Sequence, residues 1–212
     1  MRLPSDIRLF PLTGVLLLPR GTLPLQVFEP RYLNMVEDAL GAGRLIGMVQ
    51  PVKAHGDPIP ADAALADVGC LGKIVNFEET DQGRFRIRLL GLSRFRLLDT
   101  VDHPGGFRVG RVNYDDFAVD RADDGGTMAD RAALEDVLRR YCESRGIQTD
   151  WATVSAASDE ALVTSFAMIC PLDPQEKQAL LECEDLDARS RMLASLMELA
   201  LLGGGEPGTV RH

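Results

Sequence analysis

Short apolar runs divided by Gly, Pro and Asp fill the first half of the chain: 7–12, 23–28, 45–49, 71–77, 85–90, 95–98 and 107–112. Several alternate apolar and polar positions, as a strand with one wet face does. Arginines 84, 86 and 88 fall on one face of such a strand, and Phe85, Ile87 and Leu89 on the other. Asp81-Gln82-Gly83 has turn chemistry, so 74–79 and 84–90 are predicted to form a hairpin. Gly91 is predicted to bend the chain before Arg94-Phe95-Arg96-Leu97 resumes the alternation. One helix interrupts this unit. Pro30 suits its first position, Leu33, Val36 and Leu40 mark its inner face, and Gly41 is the expected left-handed end. Residues 52–67 read as a long loop.

Beyond residue 117 the apolar period changes to 3.6. Leu134, Val137, Leu138 and Tyr141 form one stripe, and Leu162, Ser165, Phe166 and Ile169 a second. Asp173-Pro174-Gln175-Glu176 opens a third helix with an acid at the cap, Pro at the first position and Glu at the third. A fourth runs from about Asp187 to Leu202, with Leu193, Leu196, Met197 and Ala200 inward. The pattern divides the chain into a β-rich unit at 1–117, a linker at 118–126, a helical subdomain at 127–203 and a disordered tail at 204–212. The fold class is α+β.

Charge sharpens the division. Residues 1–117 carry 14 basic and 14 acidic side chains, and 118–212 carry 9 and 18, so the whole net charge of −9 lies in the second half. Much of that excess sits at predicted helix starts, where acids complement the helix dipole. A neutral half joined to an acidic one argues against a protein that grips nucleic acid over its whole surface. Cys70, Cys142, Cys170 and Cys183 form no C-x-x-C pair and read as buried, reduced thiols, and three scattered histidines offer no metal site. No apolar run is long enough to span a membrane, and the N-terminus lacks the pattern of a signal peptide. The expected compartment is the cytoplasm, and no cofactor is expected.

Catalytic motifs are missing as well. The sequence contains no P-loop, no G-x-G-x-x-G after a strand and no G-x-S-x-G elbow. Lys53, Lys73 and Lys177 lie outside any recognisable serine-containing motif, which leaves no Ser–Lys pair.

The order Phe10-Pro11-Leu12, Val15-Leu16-Leu17-Leu18-Pro19-Arg20-Gly21 and Leu23-Pro24-Leu25-Gln26-Val27-Phe28-Glu29-Pro30-Arg31-Tyr32 resembles the N-terminal domain of ATP-dependent Lon proteases. Ile46-Gly47-Met48-Val49, Val68-Gly69-Cys70-Leu71-Gly72-Lys73-Ile74 and Gly91-Leu92-Ser93-Arg94-Phe95-Arg96 extend the match, which covers roughly residues 5–202. Two positions depart from the family. Cys70 stands where many members carry Thr or a longer side chain, and Gln26 where His is frequent. The resemblance implies a PUA-like β-pseudobarrel with one helix, followed by an all-α helical bundle. It also implies a role in substrate recognition rather than catalysis, because the family's ATPase and peptidase sit in later domains. On this basis the chain is expected to be a stand-alone, non-catalytic module for unfolded peptide or partner proteins. The resemblance leaves the oligomeric state open.

Candidate contact residues are Leu17, Leu18, Glu29, Arg31, Tyr32, Arg86 and Arg88. Each has an architectural reading beside the functional one. Leu17 and Leu18 either fill the barrel or form an apolar patch. Glu29 either caps the helix or joins Arg31 and Tyr32 on a peptide-binding surface. The arginines at 84, 86, 88, 94 and 96 either keep a strand soluble or bind RNA, the alternative function. Aromatic partners for bases are few, because Phe85 and Phe95 fall on the opposite face. Addition of an extended peptide to an open sheet edge is one mode of binding.

Overall fold

Residues 3–80, 82–122 and 126–203 are described by a computed structural model, and in them the period-two segments become six strands. These are β1 (Asp6–Pro11), β2 (Thr22–Val27), β3 (Leu45–Val49), β4 (Val68–Glu79), β5 (Phe85–Asp102) and β6 (Arg108–Asn113), with helix α1 (Pro30–Gly41) after β2. The strand order is β2-β5-β4-β3-β1-β6, with only β1 and β3 parallel. The last seven residues of β5, Arg96–Asp102, reach back to pair with β6 as well, so the sheet closes through its longest strand. The result is a mixed six-stranded sheet joined to itself rather than an even barrel, with β2 added along the first third of β5.

Side-chain alternation on β5 follows the sequence at 85–89: Phe85, Ile87 and Leu89 are buried and Arg86 and Arg88 exposed. Gly91 does not end the strand. β5 runs through it, and the irregularity is a bulge that puts Leu92 between the pairs Gly72–Gly91 and Leu71–Ser93. The glycine is required because the Leu18 backbone lies where a β-carbon would be. Helix α1 starts at Pro30 as predicted, but its buried face is Tyr32, Met35, Val36 and Ala39. Gly41 is its last residue, and the positive φ angles come later, at Gly43 and Arg44. Glu29 occupies the cap position without a side-chain cap bond; its carboxylate turns to Arg31 instead.

A 3-10 helix (Asp115–Arg121) follows β6, then α2 (Arg131–Arg145), α3 (Trp151–Ala156), α4 (Asp159–Ile169), α5 (Pro174–Glu182) and α6 (Leu186–Leu202). The polar stretch read as a linker thus begins inside a helical turn, while 123–125 and the tail at 204–212 lie outside the described residues. The α2 stripe is buried as predicted. On α4 the inner face is Leu162, Val163, Thr164 and Ala167, and Ile169 is 78% exposed. That helix is apolar on nearly every side, so periodicity alone does not fix its phase. Helix α3 escaped the pattern because it is six residues long and buries none of them; Asp150 caps it. At α5 the Glu176 carboxylate accepts from the Asp173 N–H at 2.8 Å, the predicted capping box.

The larger apolar cluster is continuous from Phe10, Leu17 and Ile87 in the sheet to Leu138, Leu162 and Leu193 in the helices. A smaller one fills the far side of the sheet around Leu9, Leu71 and Phe95. Polar ties cross the same boundary. Gln50 accepts from the Gly14 N–H and donates to the Pro174 carbonyl, Lys177 donates to the Gly14 carbonyl, and Gln178 donates to the Val68 carbonyl. All four cysteines are unpaired, and burial pushes the Cys170 thiol up to about 12.

Candidate functional site

Arg94 stands where the sequence predicts a solvent-facing member of an arginine stripe, yet it is 1% exposed. The bulge at Leu92 shifts the alternation, so Ser93, Arg94 and Phe95 are all inside. Its guanidinium meets both carboxylate oxygens of Asp120, at 2.8 Å from Nη2 to Oδ1 and 2.9 Å from Nε to Oδ2, and its own N–H donates to Oδ2. It also donates to the carbonyls of Leu181, Cys183 and Glu184 and lies 4.7 Å from the centre of the Phe117 ring. Carbonyls at the end of α5 are what a buried cation seeks, because they carry the negative end of the helix dipole. One side chain of the sheet thereby fixes the 3-10 helix and the α5–α6 turn. Arg189, also buried, donates to the Leu180 carbonyl, and burial followed by its proximity to Arg94 lowers its pKa.

This changes the arginine patch. Arg96 is paired with Asp116 at 2.7 Å, and Arg94 is interior. Arg86 and Arg88 remain on the open face of β5, with Glu78 3.8 Å from Arg86. The continuous stripe that motivated RNA binding is therefore two residues shorter than it reads.

Leu17 and Leu18 are 1% and 0% exposed and present no surface to a partner. They lie in the cluster shared by sheet and helices, because the 15–18 segment is threaded between the two. Tyr32 is likewise enclosed, its ring 4.5 Å from that of Phe10, and burial raises its hydroxyl to about 12. Arg31 sits 4.6 Å over the Tyr32 ring, pairs with Glu29 at 2.8 Å and donates to the Ile59 carbonyl at 2.7 Å. Arg108 donates to the Ala63 carbonyl at 2.8 Å. The Glu29–Tyr32 segment is thus a peg that holds the 52–67 loop against the sheet. Replacing Arg31 with alanine is expected to cost about 2 kcal/mol, since two charge-assisted hydrogen bonds and the stacked contact go together. Limited proteolysis should then cut first within 52–67; an unchanged digestion pattern would show the peg to be dispensable.

The sequence reading missed a groove of about 910 Å³ where the sheet meets the helices. One wall is α5, presenting Asp173, Gln175, Ala179 and Glu182; the other is formed by Val52–Ala54, Ala66, Asp67 and Arg96. Phe117 closes its base, held there by the Arg94 guanidinium. Val52 is 59% exposed although apolar. No motif marks this site, because its two walls come from segments more than 75 residues apart. The Pro/Ala-rich run at 51–66 was the available signal, since a loop of small and apolar residues leaves room beside a helix. Among the described residues no His, Cys, Asp and Glu cluster could hold a metal ion, and no helix is long and apolar enough to cross a membrane.

A mixed sheet closed through one long strand, with a helical unit fastened to it by a buried arginine, defines a two-part α+β module. Residues 6–198 match the family described as the ATP-dependent protease La (LON) substrate-binding domain, and the chain belongs to that family. It is 21% identical over 208 residues to the Lon protease of Desulfosudis oleivorans, covering 95% of this chain and 25% of that protein. Against the Lon protease of Anaeromyxobacter dehalogenans the identity is 25% over 198 residues, covering 92% and 23%. The chain thus spans about a quarter of the length of these relatives. Among solved structures, the Lon N-terminal domain protein from Xanthomonas campestris superposes with a TM-score of 0.64 at 25% identity, over 91% of this chain and 98% of that one. The N-terminal domain of the Mycobacterium avium complex Lon protease, at 16% identity and a TM-score of 0.61, shares the fold over 91% of this chain and 98% of that one.

Proposed function

We propose that the protein is a non-catalytic binding module that engages unfolded polypeptide segments or partner proteins in cytoplasmic protein quality control. The observation that carries this reading is the family match over residues 6–198, which is a match to a substrate-binding domain. Two further features support it. The 212 residues contain neither a P-loop nor a recognisable Ser–Lys segment, so the chemistry of a peptidase has no evident seat in them. Four unpaired cysteines, three of them buried, accord with a reducing compartment. The test is fluorescence anisotropy with labelled, reduced and carboxymethylated casein beside a natively folded control protein. Saturable binding of the unfolded casein alone is expected, with no hydrolysis of casein or ATP. Failure to bind, or a hydrolysis rate abolished by a point mutation, would overturn the reading.

A further inference from the structure

We infer that the groove between α5 and the 52–54 and 66–67 segments is where such a segment docks, and that it selects a short extended stretch with basic side chains at both ends. This rests on the peptide-binding reading above and adds the place and the side-chain chemistry.

Charge is the first argument. Asp67, Asp173 and Glu182 line the groove against Lys53 and Arg96, and Arg96 is already paired with Asp116 at 2.7 Å. The free balance is acidic, which favours a cationic occupant and disfavours an anionic one. All three acids are solvent-exposed, Asp173 as the cap of α5 and Glu182 as the acceptor of the Gln178 amide at 2.7 Å, and can meet a ligand's charges without prior desolvation.

Length is the second. Asp173, the cap of α5, and Glu182, its last residue, are nine residues apart, about 13 Å along the axis at ~1.5 Å per residue. An extended chain covers that distance in about four residues at ~3.3 Å each. Basic side chains four positions apart match that axial separation.

The stretch between the charged ends has an apolar surface to lie on. Val52, Ala66 and Ala179 offer small or exposed apolar side chains, and exposed Gln175 brings an amide able to bond a passing peptide backbone. Bulk is excluded from the base, which Phe117 fills.

Three anisotropy measurements on the full chain test this. The probes are fluorescein-labelled Gly-Lys-Ala-Val-Ala-Lys-Gly, its counterpart with both lysines replaced by glutamate, and the carboxymethylated casein. The lysine peptide should bind at least tenfold more tightly than the glutamate peptide. The double variant Asp67→Lys, Glu182→Lys should lose at least tenfold toward the lysine peptide, with unchanged circular dichroism. A control double variant, Glu37→Lys, Glu143→Lys, alters net charge equally at exposed positions away from the groove and should bind as the parent does. Equal losses in both variants would mean bulk charge acts rather than the groove, and the inference falls. It also falls if casein binds and the lysine peptide does not, while the binding reading stands. If neither probe binds, both fall together.

Discussion

Replacing Arg94 with alanine is expected to lower the free energy of unfolding by about 3–5 kcal/mol, enough to leave many proteins of this size marginal at physiological temperature. The cost arises less from losing the attraction than from stranding its partner. Asp120 would remain buried without its paired guanidinium, and the carbonyls of Leu181, Cys183 and Glu184 would lose their donor. Asp120→Ala should be at least as damaging, because Arg94 and Arg189 would then share the interior without a carboxylate between them. Replacing the pair together, Arg94→Met with Asp120→Leu, should recover much of the loss, since removing both charges removes the desolvation penalty as well. Urea unfolding followed by circular dichroism reads all three. If Arg94→Ala unfolded within about 1 kcal/mol of the parent, the buried arginine would not be what fastens the helices to the sheet.

Gly91→Ala carries the second large effect, about 3 kcal/mol, the upper end of ordinary overpacking. A β-carbon there would collide with the Leu18 carbonyl group, which is backbone and cannot swing aside. The collision would also break the hydrogen bonds from the Gly91 N–H to the Gly21 carbonyl and from the Arg20 N–H to the Gly91 carbonyl, both 2.9 Å long. Gly41→Ala serves as the reference, since nothing lies within 4 Å of a β-carbon at that position. It should change stability by less than about 0.5 kcal/mol. Equal melting temperatures for the two variants would mean the 18–21 segment can be displaced without cost.

The contrast between these glycines shows what could be read in the residues. Alternation placed the strands at 85–90 and 107–112 and the α2 stripe correctly, because one buried face forces a period on the chain. Asp173-Pro174-Gln175-Glu176 announced α5 because cap chemistry is local. The same arithmetic put Arg94 outside, since it continued a period across a bulge that only the paired strand creates. Leu17 and Leu18 were ambiguous for a related reason: an apolar loop segment fills a core or lines a surface with the same letters. The groove lay beyond local reading altogether. Val52 and Ala179 become neighbours through the packing of α5 on β4, which rests on Gln178 reaching the Val68 carbonyl.

The apolar cluster that runs unbroken from Phe10 to Leu193 bears on how this fold can be reused. A barrel cut away after residue 117 would carry Leu16, Leu17 and Leu18 into water and lose the carboxylate that neutralises Arg94. Sheet and helices are consequently one cooperative building block for engineering, and any graft, truncation or fusion has to move them together.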